Sequence, residues 1–237
     1  MRVPMPNDRR RDSQCIPLAR GVRAVACLCL ACTAAPAAAQ TSGSLALVSE
    51  YTVRGISLSA GHPALQLRID HDLENGWYAG GFASPATLGE RDQTQLIVYG
   101  GRAGRLASGL GWDAGISRSA FLRDHRYDYT EFHAGLALDR ASARLFLSPA
   151  YYGGERTAYL DLNAFQPLDE QLRLTFHAGL LHGLGGYAES HNRADLRIGL
   201  ASTIGDCTVQ VGLQTLLRAD DGAPRAHALS GSASIRF

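Results

Sequence analysis

The stretch from Leu65 to Leu73 constrains this chain more than any other. Leu65, Leu67, Ile69 and Leu73 hold its odd positions, interrupted by His71, while Gln66, Arg68, Asp70 and Asp72 hold its even ones. Only an extended strand sends those two sets to opposite faces, because successive side chains of a strand alternate across it. Leu45 to Arg54 alternates in the same manner, with Ser49 as a blemish, and reads as the preceding strand. Asn75-Gly76 tolerates positive φ at both positions and predicts a two-residue type I′ turn into a third strand carrying Trp77, Tyr78 and Phe82.

The rest of the chain repeats this logic. Leu110–Ser117, Phe132–Leu138, Leu145–Ser148, Ala158–Ala164, Leu172–Leu180, Leu196–Leu200, Val209–Leu217 and Leu229–Phe237 each alternate apolar residues with polar residues or glycine. In Gln93 to Gly101 the alternation leaves two choices open, with Ile97 and Tyr99 or Leu96 and Val98 on the apolar face. The total is about twelve strands, without a segment of helical period. Their connections alternate in length. Glu74–Gly76, Asp139–Ser142, Pro167–Gln171 and Gly205-Asp206 are short, whereas Gly55–Pro63, Ser84–Asp92, Arg118–Tyr127, Gly183–Asp195 and Arg218–His227 are longer and more polar. Two connections depart from the contrast, Arg102–Ser108 as a middling turn and Tyr152–Arg156 as a brief loop. Short turns at one end and long loops at the other are the layout of an outer-membrane barrel.

Residues 1–39 read as an export signal. Arg2, Arg9, Arg10, Arg11, Arg20 and Arg23 make a basic start, Ala24 to Ala35 is apolar, and Ala37-Ala38-Ala39 offers a small-residue cleavage site before Gln40. Residues 40–237 are then the barrel. Cys15, Cys27, Cys29 and Cys32 fall in the signal, which leaves Cys207 alone and excludes both a disulfide framework and a thiolate metal site in the mature chain. Removing the signal takes away six arginines and two aspartates, leaving 17 arginines against 20 acids and no lysine. A mildly acidic chain without basic clusters is poorly suited to nucleic acid.

Facing follows from size. In a water-soluble barrel the apolar rows would have to fill the interior, yet about eight strands already enclose a space that side chains fill. The inverse arrangement is easier to satisfy: apolar rows meet lipid, and Glu50, Arg54, Arg68, Asp70, Asp113, Glu131, Arg144, Asp161, Arg173 and Arg197 line a hydrated lumen. Arg54 and Gly55, at a strand end, read equally as an inward constriction or as simple turn chemistry. Trp77, Trp112 and Phe165 would form the aromatic girdle near the short turns, with Tyr127, Tyr129, Tyr151 and Tyr152 near the long loops. The expected function is passive diffusion of small hydrophilic solutes through a narrow, mixed-charge lumen. The alternative is a non-conducting structural or surface-interaction barrel with a plugged lumen.

A membrane-embedded hydrolase is the third reading. Glu189-Ser190-His191-Asn192 sets a hydroxyl beside an imidazole and a carboxylate, but neighbours in sequence point apart and no strained nucleophile turn is present. Asp124-His125 is a second, similarly weak pair. His177 and His182 are five apart on one strand, which sends them to opposite faces, so no metal spacing emerges. No enzyme activity and no cofactor are expected.

Ser49-Glu50-Tyr51-Thr52-Val53-Arg54-Gly55-Ile56-Ser57, then Pro63-Ala64-Leu65-Gln66, then Asn75-Gly76-Trp77-Tyr78-Ala79-Gly80 together resemble the opening of the TorF family of Gram-negative outer-membrane porins. The resemblance implies a small outer-membrane channel. Thr52-Val53 stands where that family pattern has an aromatic pair or Arg-Phe. The terminal Ile235-Arg236-Phe237 is similar to the C-terminal signal that the barrel-assembly machinery reads, which makes outer-membrane lipid, that machinery and small polar solutes the expected partners.

Overall fold

The computed structural model describes residues 39–88, 91–185, 192–219 and 227–237. The barrel wall is built from β1 (Ala39–Val48), β4 (Ala64–Leu73), β5 (Trp77–Leu88), β6 (Arg91–Arg105), β7 (Gly111–Phe121), β8 (Tyr129–Ala137), β9 (Ala141–Ser148), β10 (Thr157–Pro167), β11 (Leu172–Gly183), β12 (Arg193–Ile204), β13 (Cys207–Ala219) and β14 (His227–Arg236). Two further two-residue strands, β2 (Thr52–Val53) and β3 (Ile56–Ser57), pair only with each other. Every neighbouring pair in the wall is antiparallel, and β14 returns to β1 with Leu45 opposite Ile235 and Leu47 opposite Ala233. The fold is a closed barrel of 12 wall strands. Closure leaves no edge, so every wall strand has two hydrogen-bonded neighbours.

The wall is apolar outside and charged inside. Leu65, Leu67 and Ile69 on β4, Leu145 and Leu147 on β9, and Leu196, Ile198 and Leu200 on β12 are exposed on the outer face. Leu96 and Val98 are also exposed, which settles the ambiguous β6 face: Tyr99 turns inward to donate a hydrogen bond to Asp70. The last residue seals the seam. Phe237 exchanges two backbone hydrogen bonds with Gly43, 2.8 and 3.0 Å, and lays its ring where any side chain at position 43 would collide with it.

Four local expectations are corrected. First, β1 stops at Val48; the predicted continuation to Arg54 turns into the barrel instead, because Tyr51 is buried with its hydroxyl donating to Gln95 Oε1 at 2.7 Å. Second, the turn after Leu73 has three residues, with positive φ at Gly76 and not at Asn75. Gly76 N donates to Leu73 O at 3.0 Å, and Asn75 Oδ1 accepts from Trp77 N, the pattern of a type I turn closed by a left-handed glycine. The two-residue turn with positive φ at both positions lies at Arg54-Gly55, φ 51° and 77°, between β2 and β3.

Third, the predicted polar link Pro85–Asp92 is mostly strand: β5 runs to Leu88 and β6 resumes at Arg91. Ser84 and Ala86 are buried, and Thr87 N donates to Leu58 O, so the inserted loop gives this hairpin a second surface to lie against. Fourth, the aromatic girdles do not form as expected. Tyr129 is buried inside the barrel with Tyr127, Tyr151 and Tyr152 packed against the same cluster, and Phe165 shares the inward face of β10 with Asp161. Trp77 is exposed on the outer face.

Candidate functional site

A wall of 12 strands encloses more space than its own side chains fill, and the segment 49–63 enters that space. Its anchor is Tyr51, whose N–H donates to Ser59 Oγ at 2.9 Å while Leu58 N donates back to Tyr51 O at 2.6 Å. Thr52 Oγ1 donates to Gln214 Oε1 on β13, and Gly55 sits against Asp195 and Leu216 of β12 and β13, where a side chain would clash. The tip carries Arg54 to the far wall. Its Nη2 donates to Glu131 Oε1 on β8 at 2.7 Å, and both side chains are nearly closed off, 7% and 9% exposed.

Arg54 is held by rings as well as by charge. Its guanidinium carbon lies 4.3 Å from the ring centre of Tyr159, 4.7 Å from Tyr151 and 5.5 Å from Phe146. A cation over an aromatic face gains about 0.5–1 kcal/mol when exposed and about 2 kcal/mol when desolvated. Those contacts offset the left-handed backbone of Arg54, which costs a non-glycine residue roughly 1–2 kcal/mol. Above the tip, Tyr129, Tyr151, Tyr152 and Phe121 stack on one another with ring centres 4.7–5.7 Å apart.

Below the tip the inner face is charged and wet. Arg68 pairs with Asp70 at 2.9 Å on β4, and Arg144 pairs with Asp113 at 3.0 Å across β9 and β7. The two arginine side chains are 53% and 46% exposed although they face inward, so water reaches them. His133 Nε2 approaches Asp113 at 3.3 Å and the Tyr78 hydroxyl at 2.8 Å. On the opposite wall His177 bridges two carboxylates, with Nε2 2.8 Å from Asp195 and Nδ1 3.3 Å from Asp161. Tyr159 Oη donates to Asp195 as well.

All ten acidic and basic residues predicted for the interior border internal cavities, in separate groups. Arg68, Asp70, Asp113, Glu131 and Arg144 border one of about 640 Å³; Glu50, Asp161 and Arg197 border one of about 300 Å³; Arg54 borders both. Arg173 and Arg197 border a third, of about 410 Å³, at the short-turn mouth, and among the described residues neither has an ion-pair partner. Glu50 and Arg54 occupy the inserted loop and not a wall strand, as the early end of β1 requires. Sequence reasoning passed over Tyr78, Tyr99, His133, Tyr159, His177 and Asp195. Tyr159 shares the parity of Asp161 on β10, His133 that of Glu131 on β8 and His177 that of Arg173 on β11, whereas Asp195 was hidden because it was counted as loop.

The remaining chemical candidates are placed as follows. Asp124 caps the 3₁₀ turn His125–Tyr127, and its hydrogen bonds from Arg126 hold the carboxyl down at about 2; His125 turns to Asp128 instead. Glu189, Ser190 and His191 lie outside the described residues, and Asn192 Oδ1 is 2.6 Å from His182 Nδ1. The segment expected as an export signal, residues 1–39, also lies outside them but for Ala39, the first residue of β1. Cys207 is free and exposed beside the turn at Gly205. Among the described residues no group of three or more His, Cys, Asp or Glu side chains is placed to hold a metal.

This architecture is that of the small outer-membrane porins. The chain superimposes on the KdgM porin with a TM-score of 0.55 at 12% identity, over 83% of this chain and 99% of that one. The COG4313 outer membrane channel from Pseudomonas putida F1 gives 0.55 at 12%, over 86% and 97%, and the NanC porin 0.54 at 12%, over 84% and 99%. At such identity these likenesses carry the barrel fold alone. Residues 32–226 match the family described as bacterial protein of unknown function (Gcw_chp), and the chain belongs to that family. No curated protein matches it by sequence.

Proposed function

We propose that the chain is an outer-membrane channel through which small hydrophilic solutes diffuse passively, and that it performs no chemistry on them. The inversion of the wall carries this reading: leucine, isoleucine and valine rows stand exposed outside while ion pairs stand inside. Soluble proteins rarely expose an apolar patch beyond a few hundred Å², so a belt of this kind needs lipid around it. Residues 1–39 serve as the export signal, and Phe237 at the seam presents the terminal aromatic to the assembly machinery. The ten acidic and basic residues give the lumen its mixed field, which orients polar solutes and sets weak ion preference. The resemblance of residues 49–80 to the TorF porins, and the porin fold of KdgM and NanC, support the same reading.

A non-conducting barrel is the second reading, favoured by one observation: the inserted loop and the tyrosine cluster fill the loop end around the buried Arg54–Glu131 pair. Planar-bilayer recording on purified, refolded protein separates the two. Discrete current steps are expected from the channel; a silent bilayer, from protein that shifts on a gel between unheated and boiled samples as a folded barrel does, establishes the plugged one.

A further inference from the structure

Arg54 sits in its cage as a ligand sits in a receptor. The cage itself, Glu131 on β8, Phe146 on β9, Tyr151 in the connection from β9 to β10 and Tyr159 on β10, belongs to the wall and its loops. Its occupant does not: Arg54 is delivered by the separate β2–β3 hairpin, whose own pairing is limited to Thr52 with Ser57 and Val53 with Ile56. The backbone at Arg54 is left-handed, a conformation that costs an arginine energy, and the contacts of its guanidinium hold the hairpin tip together with the Thr52–Gln214 hydrogen bond and the packing of Gly55. Cavities of about 300 and 640 Å³ meet at Arg54, so its departure leaves the cage open to the lumen on two sides.

We propose that Glu131, Tyr151, Tyr159 and Phe146 form a binding site for small organic monocations of the alkylguanidinium class, held in this structure by the chain's own Arg54 as a tethered occupant. Three ring faces and one carboxylate suit a flat, delocalised charge that sheds water readily. Arg54 Nη1 is buried without a hydrogen-bond partner, which shows that the cage offers fewer acceptors than an unsubstituted guanidinium has donors. An alkylated nitrogen removes that mismatch, whereas a compact ammonium ion, strongly hydrated and needing acceptors on several sides, gains little.

The test uses the full-length barrel refolded in detergent micelles, with methylguanidinium chloride as probe and ammonium chloride at equal ionic strength as control. Arg54→Ala vacates the cage, and Arg54→Gln vacates its charge while keeping bulk at the tip, should the alanine variant fold poorly. Tyrosine emission and thermal midpoint are read against probe concentration in the low-millimolar range, far below denaturing levels. Saturable binding of methylguanidinium and not of ammonium is expected in either variant. The wild type should bind at least roughly tenfold more weakly, because its site is competent only when the tip is out, and adding Glu131→Gln should abolish binding. Equal responses to both cations, or binding that survives Glu131→Gln, overturns the proposal. Binding is read without current, so a silent bilayer leaves it standing and a conducting one does not establish it.

Discussion

The two ends of the barrel are built on opposite principles. Apart from Ala201 and the glycines Gly43, Gly101, Gly199 and Gly212, the residues closed to solvent among those described belong to the loop end: they include Tyr51 and Leu58 from the insert, Gln93 and Gln95 from β6, Phe121 from β7, Tyr129 and Glu131 from β8, Thr157 and Tyr159 from β10, Asp195 and Leu216 from β12 and β13. Toward the short turns the inward residues are Arg68, Arg144, Asn163, Arg173 and Arg197 with small partners such as Ser142 and Ser234 between them, and water reaches their side chains. The first half behaves as the interior of a globular protein, where an unpaired polar group is costly; the second behaves as a protein surface folded inward. The difference teaches that the lumen's charges do not form one functional set, because the same ion-pair chemistry has a different weight on each side of the hairpin tip.

That contrast is open to measurement as a descending series of stabilities, by reversible urea unfolding in micelles. Glu131→Gln should have the largest effect, a loss of about 3–5 kcal/mol, since it leaves Arg54 charged, buried and without its carboxylate. A loss under about 1 kcal/mol would mean that the loop end is hydrated and the contrast is wrong. Tyr51→Phe comes next, at about 1–3 kcal/mol, because Gln95 is fully buried and loses the donor to its Oε1. Asp70→Asn, at the exposed Arg68–Asp70 pair, should cost less than about 1 kcal/mol once solvent screening is allowed for. A cost for Asp70→Asn equal to that of Glu131→Gln would erase the distinction between the two ends.

How much of this was legible beforehand differs by region for the same physical reason. The wall reads easily, since Leu65 to Leu73 separates lipid-type and water-type residues by simple alternation, and the strand count and the inward face of Arg68, Asp70, Asp113, Arg144 and Asp161 follow from parity. The loop end does not read. Tyr51-Thr52-Val53 has good strand composition and is in fact strand at Thr52–Val53, so nothing local says that it pairs with Ile56-Ser57 and not with the wall. Its inward course depends on Gln95 and Glu131, which lie 44 and 77 positions away. Tyr151 and Tyr152 look like interfacial belt residues by type, but their facing is set by a turn in which Tyr152 takes positive φ, where alternation carries no information. Asn75-Gly76 and Arg54-Gly55 make the same point about turns. The better-known dipeptide forms a three-residue loop, and the less typical one makes the two-residue turn because its arginine is held by distant partners.

The smallest effect in the series lies on the rim, outside both interiors, and it bears on whether the tyrosine cluster needs the loop above it. Asp124 lies at the surface beneath the Arg126 side chain, and its carboxyl is held down at about 2, first by the side-chain hydrogen bonds from Arg126 and then by the backbone N–H of the same residue. A carboxyl depressed in the folded state stabilises above its ordinary value, near 3.8, and loses that contribution as pH falls through the folded value. The His125–Tyr127 turn should therefore stay ordered down to about pH 4 and loosen between there and about pH 2, which amide exchange at Arg126 would report. Asp124→Asn should bring that loosening to neutral pH, with the barrel's midpoint in urea scarcely moved, because Tyr127 meets the cluster only edge-on at Phe121, 6.4 Å between ring centres. A clear drop in the midpoint would show that the loop-end interior is clamped from outside as well as by Arg54, and the boundary between buried and wet regions would then have to be drawn above the rim instead of at the hairpin tip.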